Sequence, residues 1–243
     1  MGRDGTTVER EIHSTYLDET FTITIYRPEN YSPLYKYHLC IVQDGNDYYQ
    51  LGRLGRVSDK LHKDGTIENT IFAGIHYKDR YDRWDKYHPD SEKQEDYMRF
   101  LRFEVVPVLD KELPSYHVKS CRILMGDSLG GTVSLMTALK YPNTFGKVIM
   151  QSPYVDERLK QMVQDTDEID TMSIYHTIGN AEEKVETTNG EIDDFLNPNL
   201  ELQELLKDKV ADYEFHQLEG EHTWKQWQKD LPNAIQAIFG VDK

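Results

Sequence analysis

The sequence predicts an α/β protein with a mostly parallel central sheet and helices on both faces. Three observations predict it. Short apolar runs alternate with stretches of helical spacing, the pattern of strands joined by crossover helices. One run, Arg122-Ile123-Leu124-Met125, enters Gly126-Asp127-Ser128-Leu129-Gly130, and a helix-like stretch, Thr132 to Lys140, leaves it before Tyr141-Pro142. The 243 residues carry no internal repeat and no linker rich in Pro, Gly or Ser, which suits one domain over 1–243 with ample core.

Thr20 to Arg27 alternates, with Phe21, Ile23 and Ile25 on one face and Thr22, Thr24 and Tyr26 on the other, and so reads as a half-exposed antiparallel strand. Arg27-Pro28 ends it, and Tyr31-Ser32-Pro33 is a turn. His38 to Gln43 and Thr70 to Ile75 are continuous apolar runs and read as buried strands, with helical spacing between them over Tyr48 to Lys63. His76 to Tyr97 is aromatic and charged with no period. It reads as a loop, either a solvated one or a site-forming one past the C-terminal end of a strand. Tyr97 to Leu113 puts Tyr97, Phe100, Leu101, Val105, Val108 and Leu109 on one helix face, and Pro107 predicts a kink there.

Lys147 to Gln151 is the next strand, closed by Ser152-Pro153. Val155 to Asp170 is acidic with little apolar period, a short surface helix at most and too short for a large lid domain. Met172 to Ile178 is a strand that ends at Gly179-Asn180-Ala181-Glu182-Glu183. Glu186 to Asn199 is polar, contains Gly190 and reads as a mobile loop; Asn199 then suits the N-cap of a helix to about Val210. Asp212 to Leu218 is the last strand. Gly220-Glu221-His222-Thr223-Trp224 follows it, then an amphipathic helix carrying Trp227, Leu231, Ile235 and Ile238.

Formal net charge is −15 and mean hydropathy −0.70. So acidic a surface disfavours nucleic acid and anionic membranes as partners. The two cysteines, Cys40 and Cys121, lie in apolar runs and read as buried thiols in central strands, with neither a disulfide framework nor a metal site. His76 and His88 lack metal-ligand spacing, so no metal is expected. The N-terminus, Met1-Gly2-Arg3-Asp4-Gly5, has no apolar signal core, and no long apolar span occurs; the expectation is a cytoplasmic protein.

Gly126-x-Ser128-x-Gly130 between a strand and a helix has the form of a nucleophile elbow, a serine on a sharp turn with its hydroxyl above the sheet edge. Three strand ends then offer Ser128, Glu182 or Glu183, and His222 in the chain order nucleophile, acid, base. A serine hydroxyl is a poor nucleophile at neutral pH; an imidazole must take its proton, and a carboxylate must orient that imidazole. Of nine histidines only His222 lies past the last strand between a nearby Gly and a Trp. The residues leave the acid open, because Glu182 and Glu183 are adjacent and Glu186 is close. The developing oxyanion needs two backbone donors: Leu129 N–H is one, and the Asp44-Gly45 turn can present Asn46 N–H as the second.

These stretches together resemble the putative-esterase family of α/β-hydrolases, which includes feruloyl esterases, S-formylglutathione hydrolases, enterochelin-type siderophore esterases and mycolyltransferases. The resemblance is carried by Gln43-Asp44-Gly45-Asn46, Gly126-Asp127-Ser128-Leu129-Gly130-Gly131, Tyr141-Pro142-Asn143-Thr144-Phe145-Gly146, Gly179-Asn180-Ala181-Glu182 and Gly220-Glu221-His222-Thr223-Trp224-Lys225-Gln226-Trp227. It implies an α/β-hydrolase fold without a large lid domain, the triad Ser128, Glu182 and His222, and an oxyanion hole from the N–H groups of Asn46 and Leu129. Many members carry Asp where this chain has Glu182. Arg80 and Arg83 fall where such enzymes often hold an arginine, and with Trp84 and Trp224 they are the candidate substrate-binding residues.

The implied function is a serine carboxylesterase acting on small short-acyl or aryl esters, with no cofactor and with oligomeric state left open. Acyl transfer, siderophore or thioester hydrolysis on the same triad, and an idle scaffold that only binds are the alternatives.

Overall fold

The computed structural model describes residues 5–187 and 190–241. Ten strands are described, β1 Thr6–Ser14, β2 Glu19–Arg27, β3 His38–Val42, β4 Thr70–Ile75, β5 Arg122–Asp127, β6 Lys147–Gln151, β7 Ser173–Gly179, β8 Val185–Glu186, β9 Ile192–Asp193 and β10 Asp212–Leu218. The helices are α1 Gly45–Gln50, α2 Leu54–Lys63, α3 Arg80–Tyr87, α4 Gln94–Phe100, α5 Val106–Glu112, α6 Leu129–Lys140, α7 Glu157–Asp165, α8 Leu196–Lys209 and α9 Trp224–Phe239.

Eight strands form one sheet in the order β1-β2-β4-β3-β5-β6-β7-β10. β2 runs antiparallel to β1 and β4, while β4, β3, β5, β6, β7 and β10 are mutually parallel. Side chains alternate across a strand, so each central strand feeds two cores. Leu39, Ile41 and Leu124 join the side covered by α4 to α8, packing with Phe100, Leu109, Val133, Leu159 and Leu206. Cys40, Val42, Ile123 and Met125 join the side covered by α2 and α9, with Leu54, Leu61, Leu231 and Ile235. Burial on both faces explains why these strands read as unbroken apolar runs. Among the described residues no helix is long and apolar enough to cross a membrane.

The structure corrects several local expectations. The stretch 76–97 contains α3, capped by Asp79, whose carboxylate accepts from the amides of Tyr81 and Asp82. Its period is hidden because the helix buries Tyr87 together with Lys86, a lysine paired with Glu19 and Asp82, where a periodic helix would bury aliphatics. The helix that follows is interrupted as Pro107 predicts. A π-helical turn, Leu101–Val105, precedes α5, where Pro107 lies in the first turn and its missing N–H breaks no bond.

Cys121 lies outside β5, half-buried in the 3-10 turn Lys119–Cys121, while Cys40 is fully buried in β3. Asn199 is no N-cap: α8 begins at Leu196, and the Asn199 side chain is buried one turn in, donating to the carbonyls of Pro153 and Phe195. The expected loop 186–199 is a β8–β9 hairpin followed by the buried Phe195 and Leu196. Part of that expectation falls on residues 188 and 189, outside the described residues. α7 buries Leu159 and Val163, so it is a short helix but one that closes core.

Candidate active site

The site forms where β3, β5, β6, β7 and β10 all end at their C-terminal edges, the usual location of ligands on an open parallel sheet. At the end of β5 the chain turns sharply, and Ser128 takes φ 49, ψ −126, a conformation that costs a non-glycine residue energy. Two glycines make the turn sterically possible. A Cβ on Gly126 would lie 2.3 Å from the Gly130 carbonyl carbon, and one on Gly130 would lie 2.8 Å from the Asp44 carboxylate. Leu129 is the first residue of α6, so its N–H is among those left without an intrahelical acceptor.

From Ser128 a line of hydrogen bonds runs inward. His222 Nε2 lies 3.0 Å from Ser128 Oγ, and His222 Nδ1 lies 2.7 Å from Glu182 Oε2. Glu182 is fully buried, whereas Glu183 is exposed. The second Glu182 oxygen, Oε1, accepts from Gly179 N–H at 2.8 Å and from the Ser152 hydroxyl at 2.7 Å. Ser152 Oγ in turn accepts from Trp227 Nε1 at 3.0 Å. Neither Ser152 nor Trp227 is among the candidate site residues that the sequence offers. The signal available for Ser152 was its place one residue past β6, at the same sheet edge as the other groups.

The turn after β3 is held from outside. Asp44, in a left-handed conformation with φ 55, precedes α1, and Asn46 is the second residue of that helix. Asn46 lines a separate cavity with Thr24, Tyr49 and His76. Arg83 clamps the turn: Nε and Nη2 donate to the two Asp44 oxygens at 2.9 and 2.6 Å, and Nη2 also donates to the Asp127 carbonyl at 3.0 Å. One guanidinium thus ties the β3 turn to the β5 turn, and Arg83 acts on the frame of the site while also lining it. Burial pushes the Asp44 carboxyl up, against the pull of Arg83. Asp127 is pushed well up by burial and by the neighbouring Asp44 charge.

Above the serine lies a cavity of about 470 Å³, lined among others by Arg80, Arg83, Trp84, Ser128, Leu129, His222 and Trp224. Arg80 donates to the Tyr81 phenol and stacks on its ring. Trp224 packs edge-on against Tyr48 at 4.9 Å and Trp227 at 5.5 Å. All four expected substrate-binding residues therefore reach one cavity, together with Ser128 and His222. Glu182 and Asn46 do not line it. Among the described residues no group of three or more His, Cys, Asp or Glu could hold a metal ion.

The sheet order, the serine on a strand-to-helix turn and the imidazole between that serine and a buried carboxylate define an α/β-hydrolase. Within that class the chain belongs to the putative-esterase family, whose model matches residues 14–238. That membership supports carboxylic ester hydrolysis.

Among its relatives, the chain is 48% identical over 237 residues to the uncharacterized protein YjcH of Bacillus subtilis (strain 168), covering 98% of this chain and 99% of that one. Among solved structures, it is similar to a ferulic acid esterase at TM-score 0.78 and 15% identity, covering 97% of this chain and 98% of the other. It is also similar to the BES protein of Bacillus cereus, at TM-score 0.75 and 20% identity over 97% and 95% of the two chains. The enterobactin esterase FES of Shigella flexneri matches at TM-score 0.79 and 17% identity, and there the chain covers only 58% of the longer protein.

Proposed function

We propose that the protein is a serine carboxylesterase that hydrolyses small short-acyl or aryl esters through an acyl-enzyme on Ser128. The observation that carries this reading is the unbroken line Ser128 Oγ, His222, Glu182, with heavy-atom distances of 3.0 and 2.7 Å. With Glu182 accepting the hydrogen bond from Nδ1–H, Nε2 is the basic nitrogen. It takes the Ser128 proton as Oγ attacks the ester carbonyl carbon. Glu182 stabilises the resulting imidazolium. The tetrahedral oxyanion is held by the N–H groups of Leu129 and Asn46, both at helix starts where no intrahelical acceptor competes. Collapse breaks the bond to the alcohol oxygen, which leaves with the Nε2 proton. Water then repeats the sequence on the acyl-enzyme, releasing the acid and restoring Ser128. Arg83 has a positioning role, fixing Asp44 and with it the Asn46 turn.

A fluorophosphonate probe tests the reading: the native protein is expected to label at Ser128 and the Ser128→Ala variant not at all. Native protein that stays unlabelled would overturn it. The chain's own groups supply nucleophile, base and oxyanion donors in this scheme, so EDTA is expected to leave turnover unchanged.

A further inference from the structure

The wall of the cavity is an unbroken sequence of rings. Trp84 stacks on His88 at 4.7 Å, His88 meets Tyr154 at 5.0 Å, and Tyr154 meets Phe195 at 5.8 Å. Phe195 then meets His222 at 4.5 Å, His222 meets Trp227 at 4.9 Å, and Trp227 meets Trp224 at 5.5 Å. All seven line the cavity. They come from α3, its C-terminal cap, the segment after β6, the segment after β9, the β10–α9 connection and the first turn of α9, so separate parts of the chain converge on one aromatic belt.

Carboxylates are interleaved with that belt. Asp90, Glu186, Glu191 and Asp193 line the outer part and Asp47 and Asp127 the inner part, against Arg80 and Arg83 alone among the described residues. Arg83 is already engaged by Asp44. The middle of the belt registers this field, since the Tyr154 phenol is pushed up by burial and then by Asp156, Asp193, Asp90 and Glu191. Asp127 is the second observation that points to a ligand. It is 4% exposed, it precedes Ser128 and it lines the cavity; its Oδ2 lies 3.8 Å from the Arg83 guanidinium, and its Oδ1 has no hydrogen-bond partner. A buried acceptor left unpaired costs free energy that an incoming donor or cation recovers.

We infer that the ester taken by this cavity carries a positively charged ammonium group, held by the aromatic belt and countered by Asp127. The inference rests on the esterase reading and adds the substrate's charge to it. Ring faces attract a cation, and low-dielectric walls bearing one sign of charge focus the field on it. A carboxylate-bearing ester meets the same field as repulsion, and a neutral one gains nothing from it. Burial and Asp44 hold the Asp127 carboxyl up against the pull of Arg83, the guanidinium it shares with Asp44, and an ammonium beside it adds a second counter-charge.

All three tryptophans of the chain, Trp84, Trp224 and Trp227, line the cavity, so intrinsic fluorescence reports on it directly. Choline is titrated into the native protein against 3,3-dimethylbutan-1-ol, its uncharged isostere, at constant ionic strength. Choline is expected to give a saturable change and to bind at least about tenfold tighter, as a desolvated cation on ring faces allows. Asp127→Asn and, separately, Asp193→Asn are expected to lower that ratio. Butyrylcholine is expected to exceed 3,3-dimethylbutyl butyrate in kcat/KM by a similar factor. Equal binding of the two alcohols, or a ratio untouched by both substitutions, overturns the ammonium inference whatever the hydrolysis result. Choline binding with neither ester hydrolysed and Ser128 unlabelled by fluorophosphonate supports the ammonium site and overturns the esterase reading.

Discussion

Glu182 and Glu183 differ by one position in the chain and by everything in their surroundings. Glu182 is sealed under Ser152 and Gly179 with both oxygens bonded, and Glu183 is exposed. On the proposed mechanism, replacing Glu182 with Gln removes the charge that orients His222 and stabilises the imidazolium, and turnover of short p-nitrophenyl esters is expected to fall at least ~10²-fold. Glu183→Gln is expected to stay near wild type. Equal loss in both variants would move the acid elsewhere. Ser128→Ala and His222→Ala are each expected to lose at least ~10³-fold with the far-UV spectrum unchanged.

Arg83 makes a different prediction at the same scale. Its partner Asp44 is 1% exposed, so Arg83→Met leaves a buried carboxylate with no counter-ion, which costs about 3–5 kcal/mol in urea unfolding as well as activity. A loss of activity with unfolding unchanged would instead make Arg83 a contact to substrate alone. The sequence left Glu182 against Glu183 open because adjacency cannot show burial. It offered Arg83 as a substrate residue because its partners come from two other strand ends, a pairing that no local pattern records.

Elements whose burial is periodic and aliphatic were legible, and elements that bury polar groups were not. β4 and β6 match their predicted bounds because they are apolar on both faces. α3 was hidden by its buried lysine, and the start of α8 was misplaced because Asn199 looks like a cap. What Asn199 does is bond His176. The ring Nε2 lies 2.7 Å from Asn199 Oδ1 and Nδ1 lies 2.8 Å from the Tyr213 hydroxyl, so one neutral imidazole joins β7, α8 and β10. The Asn199 amide already donates to two carbonyls, which makes its Oδ1 the acceptor of the Nε2 proton.

Burial holds His176 down at about 4, against an ordinary 6.5. Between those values the unfolded chain binds a proton that the folded chain does not. The stability His176 contributes is therefore present above pH 6.5 and lost as pH falls toward 4, on the order of 3 kcal/mol in all. Urea unfolding of wild type and His176→Gln at pH 7 and pH 4.5 isolates this contribution from the buried aspartates, which act on both proteins alike. The variant is expected to lose less stability on acidification, and equal losses would assign the acid sensitivity to other groups.

At the scale of the molecule, the mostly parallel sheet and the edge at which the site forms follow from the alternation of runs and from one Gly-x-Ser-x-Gly turn. β1 escaped that reading because it is a charged edge strand, mostly exposed, that buries only Ile12 and Ser14. The shape of the cavity depends on chain segments that meet only in three dimensions: α3, the segment after β6, the β8–β9 hairpin and the start of α9. Together they supply rings and charges, and the aliphatic side chains lining the cavity are Leu129, from the start of α6, and Val185. A buried methylene contributes about 0.8 kcal/mol when its neighbours are apolar and dry. On the proposed reading, an acyl chain longer than a few carbons is expected to pass the rings near Ser128 and reach the carboxylates Asp90, Glu186, Glu191 and Asp193 that also line the cavity, where water competes for the wall. The gain per methylene therefore stops early. In a series of p-nitrophenyl esters, kcat/KM is expected to peak between acetyl and butyryl and to fall by octanoyl, while an aryl-acyl ester able to stack on Tyr77 or Trp84 keeps or exceeds the butyryl value. Efficiency that climbs through octanoyl would require a continuous apolar trough, and no such trough leads away from Ser128 among the described residues that line this cavity.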